Sequence, residues 1–206
     1  MDEKLINEIE HIIVDEINEK NKVDINILFN KIEDYCNSFD HSSNVKGDLF
    51  ENFCYIYLKR FREFEKVWMY KEIPLDIRNK LNLTTMDYGI DLVCLDKHNN
   101  YYAIQAKYRK RQNYITSLSW RKLSTFYAMV HKTGPFVKYI VITTTDKLTN
   151  IGKDLKEEEF IGFNQLKEID LDGWKKISNY SEKKKSLEEI RKKRIDYFDK
   201  KDKNND

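Results

Sequence analysis

Residues 88–111, YGIDLVCLDKHNNYYAIQAKYRKR, decide how this chain is read. Two apolar runs, 88–95 and 101–108, are split by DKHNN, whose Asp and Asn content suits a hairpin loop. An acid (Asp91), an amide (Gln105) and a lysine (Lys107) interrupt those runs. Asp is disfavoured in strands, and a charge inside an apolar run is costly without a compensating partner. If the five-residue loop closes symmetrically, Leu95 faces Tyr101, Val93 faces Ala103 and Asp91 faces Gln105, with Lys107 as the diagonal neighbour. The three polar side chains then converge at one end of the hairpin, where a bound metal ion would compensate the acid. A one-residue slip would part Asp91 from Gln105, so the reading rests on this register.

Upstream of the hairpin, KVWMYKEI (66–73) reads as a strand ended by Pro74, and LDIRNKLNLTTMD (75–87) as a polar loop. Apolar residues at helical spacing predict two helices within residues 1–40. HSSNVKGD (41–48) reads as a linker. A helix over about 48–64 follows, with Leu49, Phe50, Phe53, Cys54, Ile56, Tyr57 and Phe61 on one face and Glu51 at the edge of that stripe. Downstream, an amphipathic helix over 117–131 turns Trp120, Leu123, Phe126, Tyr127 and Val130 inward and keeps Arg121 and Lys122 near the exposed side. Gly134 and Pro135 stop it. VKYIVITTT (137–145) is a nearly continuous apolar strand, and strand, helix, strand implies a parallel crossover. Residues 160–163 read as a short last strand, and 181–206 as a charged helix running into a disordered tail. The expected division is an N-terminal helical extension (1–40), a main α/β domain (41–180) and the charged tail.

With 206 residues, 40% hydrophobic, 35% charged and a mean hydropathy of -0.74, the composition is that of a soluble globular chain with one main core. No apolar run is long enough to cross a bilayer, and the acidic start MDEKLINEIE lacks the pattern of a secretory leader. Cys36, Cys54 and Cys94 form no CxxC or Cys/His zinc pattern, which suits a reducing cytoplasm. The net charge of +2 hides strong patterning. Residues 97–145 contain no Asp or Glu but nine basic residues, among them Lys107, Arg109, Lys110, Arg111, Arg121 and Lys122. Such a segment is either a solvated basic face or a surface that meets a polyanion.

The chain resembles the restriction-endonuclease-like nucleases of the PD-(D/E)xK class, most closely their Mrr-like branch. GDLFENFCYIYL (47–58), DYGIDLV (87–93) and AIQAKYR (103–109) carry the resemblance, supported by LSWRKLSTFYA (118–128). It covers roughly residues 45–175 and implies a three-layer α/β/α fold around a central mixed sheet, with the N-terminal helices and charged C-terminal helix as additions. It further implies a metal-dependent endodeoxyribonuclease using Mg²⁺, with Mn²⁺ as a substitute. Asp91 would be the carboxylate ligand, the Ala106 carbonyl a further ligand, and Lys107 the group that positions the attacking water. Gln105 stands where the family usually carries Glu or Asp, although Gln is familiar in the Mrr-like branch. Glu51, carried over from the matching helix, would hold a water of the ion or a second ion. Arg109, Lys110, Arg111, Arg121 and Lys122 would contact DNA phosphates, with Tyr108 and Tyr114 either stacking or packing beside them.

Other readings stay open. Asp91 and Lys107 also suit a structural ion pair, Gln105 a hydrogen bond within the sheet, Glu51 a solvated helix position, and Asp87 a turn cap. A structure-selective nuclease such as a junction resolvase, or a non-catalytic DNA-binding module, would use the same fold. The sequence has no GxxxxGK[ST] loop, so a helicase or translocase partner would lie outside this chain. The acidic N-terminal helices are candidates for homodimer formation.

Overall fold

The computed structural model describes residues 2–37, 42–86, 88–109, 117–149 and 157–181. Three helices come first: α1 (Glu3–Lys20), α2 (Ile25–Asn37) and α3 (Ser42–Ile56), the last running into a π-helical segment, Tyr57–Phe61. Strand β1 (Lys66–Met69), a 3₁₀ turn (Tyr70–Glu72) and the short helix α4 (Leu75–Lys80) lead to the hairpin of β2 (Leu92–Leu95) and β3 (Tyr101–Lys107). After β3 come β4 (Leu118–Ser119), α5 (Trp120–Lys132), β5 (Lys138–Thr143), β6 (Leu148–Thr149), β7 (Glu158–Ile161), α6 (Phe163–Lys167) and α7 (Leu171–Ile177).

The main sheet has the order β1-β2-β3-β5-β7. Pairing is antiparallel from β1 to β3 and parallel from β3 to β7, so the sheet is mixed and β3–α5–β5 is the expected parallel crossover. Val93 pairs with Ala103 and Leu95 with Tyr101, as the symmetric loop requires. Strand alternation sorts the core into two layers. Leu92, Cys94, Ile104, Ala106, Ile140 and Ile142 pack against α1, α2, α3, α6 and α7 on one face. Val93, Tyr101, Ala103, Tyr139 and Val141 pack against α5 and the α4 region on the other. The result is a three-layer α/β/α arrangement in which α1 and α2 share one continuous core with α3.

Several expectations are corrected. The segment read as a linker over 41–48 is helical from Ser42, because Val45 carries the apolar stripe of Leu49 one turn further upstream and packs on the core. The first strand ends at Met69, where the chain turns through the 3₁₀ segment. The segment read as a polar loop contains α4, and its Leu81 and Leu83 are buried. Arg78 explains the order of that region: its guanidinium donates to the carbonyls of Ile73, Thr84 and Tyr70 and lies 4.9 Å from the Tyr70 ring centroid. Trp120, expected inward, is 44% exposed. The charged tail beyond residue 181, together with Asp87, Lys110, Arg111 and Tyr114, lies outside the described residues.

Candidate active site

Asp91 enters the sheet through an irregularity. Its N–H donates to the carbonyl of Ile104 at 2.9 Å, yet Ile104 is already the register partner of Leu92. Two consecutive residues therefore face one, which is the count of a β-bulge. The burial pattern agrees: Ile90 belongs to the α5 layer and Leu92 to the α3 layer, whereas uninterrupted alternation would place residues two apart on one face. On its other side Asp91 keeps the ladder, its carbonyl accepting from the Tyr70 N–H at 2.8 Å. The bulge re-aims the Asp91 carboxylate into a cleft of about 270 Å³ lined by Glu51, Asn52 and Asp48 of α3, by Asp2 and Leu5, and by Met69, Tyr70 and Lys71.

Three groups of β3 meet one oxygen of this buried carboxylate. Asp91 Oδ2 accepts a hydrogen bond from Gln105 Nε2 and another from the Ala106 N–H at 2.7 Å, and Lys107 Nζ stands 3.8 Å away. The sequence trio does converge, although through the bulge and not as a flush cross-strand pair. Asp91 and Gln105 are 7% and 2% exposed, while the Lys107 side chain is 29% exposed and so reaches from the buried carboxylate to solvent. The Ala106 carbonyl leaves the strand on the same edge as its N–H, toward Asp91.

The end of β3 is held from both sides. Thr143 Oγ1 donates to the Lys107 carbonyl at 2.6 Å. Thr144 Oγ1 accepts from the Arg109 N–H and donates to the Arg109 carbonyl, both at 2.7 Å, so one hydroxyl continues the β3–β5 pairing where the backbone ladder stops. Tyr108 turns toward the helices, its ring against Phe29 and Phe50 and its hydroxyl donating to Glu33. It is a packing residue. Sequence reasoning missed these threonines; three consecutive Thr at the end of an apolar strand, buried here, were the available signal.

Arg109 is half-buried, donates to the Tyr108 carbonyl at 3.0 Å, and burial lowers its pKa without endangering its charge. Arg121 and Lys122 are exposed on the first turn of α5, which the parallel crossover places at the Lys107 end of the sheet. Glu51 is half-buried on α3 and lines the cleft with Asp91. Asn52 beside it is buried, donating to the Asp48 carbonyl at 2.8 Å and accepting from the Asp2 N–H at 3.1 Å. The start of α1 is thereby fastened next to Glu51.

Among the described residues, no three His, Cys, Asp or Glu side chains form a metal-ligand group by themselves. The carboxylates that share the cleft are Asp91, Glu51, Asp48 and Asp2, with the Ala106 carbonyl on the edge that faces Asp91. Gln105 directs its NH₂ at Asp91, and a half-turn of the amide would present its oxygen instead. Cys54 and Cys94 are fully buried, and burial pushes both thiols up, which keeps them protonated. A sparse, oxygen-only set suits Mg²⁺, which retains several of its own waters.

Comparison with known proteins identifies the family. A family model described as a restriction endonuclease, of the Mrr-like catalytic type, matches residues 59–186. Among solved structures, the chain is similar to an ATP-dependent Type ISP restriction-modification enzyme, LlaBIII, bound to DNA, with 25% identity and a TM-score of 0.45 over 61% of this chain and 8% of that one. No curated protein matches. The family match takes in Asp91, Gln105, Ala106, Lys107, Arg109, Arg121 and Lys122, and leaves Glu51, α1 and α2 outside it. No described helix is long and apolar enough to cross a membrane. The chain belongs to the Mrr-like restriction endonucleases, a nuclease family with the restriction-endonuclease-like α/β fold.

Proposed function

We propose that this chain is a metal-dependent endodeoxyribonuclease that hydrolyses the DNA backbone, with its reacting centre at Asp91. The observation that carries the reading is the convergence of Gln105, the Ala106 N–H and Lys107 on one buried Asp91 oxygen, in a cleft that also holds Glu51. Asp91, the Gln105 oxygen, the Ala106 carbonyl and Glu51 would hold Mg²⁺, or Mn²⁺ in its place. Bound there, the ion would compensate the charge that builds on the phosphate in the transition state.

The remaining work belongs to the chain. Lys107, anchored by its strand and open to solvent on one side, orients the attacking water and donates toward the phosphate oxygens. Asp91 holds the Lys107 ammonium close, so water and phosphate meet at a fixed point. Arg109, Arg121 and Lys122 lie at the same end of the sheet and contact backbone phosphates, with Lys110 and Arg111 following in sequence. Restriction-type cleavage within a larger assembly, with a helicase or translocase partner outside this chain, is the context this reading favours.

A second reading has its own support. Gln105 brings no charge where the family usually carries an acid, as a fold retained for DNA binding without turnover would allow. One experiment separates the two. The protein is incubated with DNA and Mg²⁺ or Mn²⁺ beside Asp91→Ala and Lys107→Ala. Metal-dependent cleavage lost in both variants is expected. Cleavage that survives both sinks the assignment, and salt-sensitive binding without cleavage favours the non-catalytic module.

A further inference from the structure

At the head of α5 an aromatic ring is held out to solvent on a rigid support. Trp120 is 44% exposed, and its ring is stacked on Tyr127 with centroids 4.5 Å apart and planes 13° from parallel. Tyr127 is 1% exposed, and its hydroxyl donates to Glu158 on β7. One face of the indole is therefore fixed against a core residue, while nearly half of the residue stays open to solvent. Burying that remainder is the way to recover the apolar surface left open.

The surroundings specify what would cover it. Arg121 and Lys122 follow directly and are exposed, and no acid lies in the first turn of the helix. The acid-free run over 97–145 contains all three residues. Trp120 also directly follows β4, which pairs with β6 just beyond the Thr144 clasp on Arg109. The first turn of α5 thus stands at the end of the sheet where Lys107 lies, and from there the Trp120 ring reaches over Tyr127, whose hydroxyl meets Glu158 on β7. A flat apolar face set among cations calls for a partner that is polyanionic and also offers flat apolar faces of its own, which describes a nucleic acid. In a duplex those faces are stacked on one another. Only a base that has left the stack presents one.

We propose that Trp120 is a stacking platform for a single unstacked nucleobase of the DNA handled at the Asp91 site. The choice of DNA rests on the nuclease reading; the stacking itself is independent of cleavage. The test uses the whole chain in EDTA, so that nothing is cut, and measures anisotropy of labelled single strands: oligothymidylate, and an abasic deoxyribose-phosphate strand of equal length. The wild type is expected to prefer the base-bearing strand by about tenfold. Trp120→Ala should lose that preference while binding the abasic strand as the wild type does, and Trp120→Phe should retain most of it.

Trp120→Ala keeping the full preference overturns the proposal, as does a wild type that binds neither strand. Equal weakening on both strands overturns it too, since that is the mark of altered charge or folding. Metal-dependent cleavage by a protein with no base preference removes the platform and leaves the nuclease reading standing. A Trp120-dependent preference in a protein that never cleaves does the reverse.

Discussion

The Tyr108 hydroxyl donates to the carboxylate of Glu33, which ties the residue after Lys107 to a helix outside the family match. Glu33 is buried, so removing its donor leaves an acceptor short of a partner. Tyr108→Phe is expected to cost about 1–3 kcal/mol in chemical denaturation, and Glu33→Gln, which keeps an acceptor in place, distinctly less. Equal effects from the two would show that the bond contributes little.

Gln105 touches Asp91 with an amide where an acid would repel it. Gln105→Glu places two carboxylates side by side in a buried site, so the melting temperature should fall in EDTA. Added Mg²⁺ should then raise it by more than it raises the wild type, since a ligand stabilises in proportion to its affinity for the folded state. Melting curves with and without the ion decide this. An Mg²⁺ shift no larger than in the wild type would argue against Gln105 as a ligand position.

Gly89 has φ +108°, and a Cβ there would lie 3.0 Å from the Phe126 backbone nitrogen on α5. Both the backbone conformation and the close approach disfavour a side chain. Gly89→Ala is expected to destabilise by about 1–3 kcal/mol, read from denaturant unfolding. Because Gly89 stands two residues before Asp91, activity should fall further than the folded fraction does.

The hairpin loop carries its own pH dependence. Asp96 accepts from the N–H groups of His98 and Asn100, from the Asn100 amide and from the Tyr102 hydroxyl. Burial pushes its pKa up, but these hydrogen bonds outweigh that and bring it from 3.8 to about 2. A depressed folded-state value means that the stabilisation is present above the unfolded pKa and is lost as pH falls through the folded one. The stability difference between wild type and Asp96→Asn should therefore be constant above about pH 5 and shrink toward pH 2. Amide exchange in the hairpin, followed across that range, checks it.

The hairpin and the crossover were legible because alternation and loop composition leave few alternatives: Val93, Leu95, Tyr101 and Ala103 could pair in only one symmetric way. The bulge was not. Ile90 and Leu92 are both apolar, so the sequence reads the same whether they share a face or lie on opposite ones. Helix α3 hid its first turn because polar residues there resemble a linker, and α4 is too short to show a period. Trp120 satisfied the inward spacing of α5, but at the first residue of the helix it lies over Tyr127 instead of entering the core. Convergence at the site was readable from residue type and spacing. The Thr144 clasp was not, because a hydroxyl in an apolar strand does not announce its partner.

The bulge at Asp91 makes chain length a functional variable in its own right. Deleting one residue between Gly89 and Leu92 would restore plain alternation without changing the character of the strand. An acid retained there would lose its aim into the cleft. Transplanting this hairpin onto another sheet, or aligning it with a relative, therefore requires keeping the count of residues before β2 as strictly as their identity.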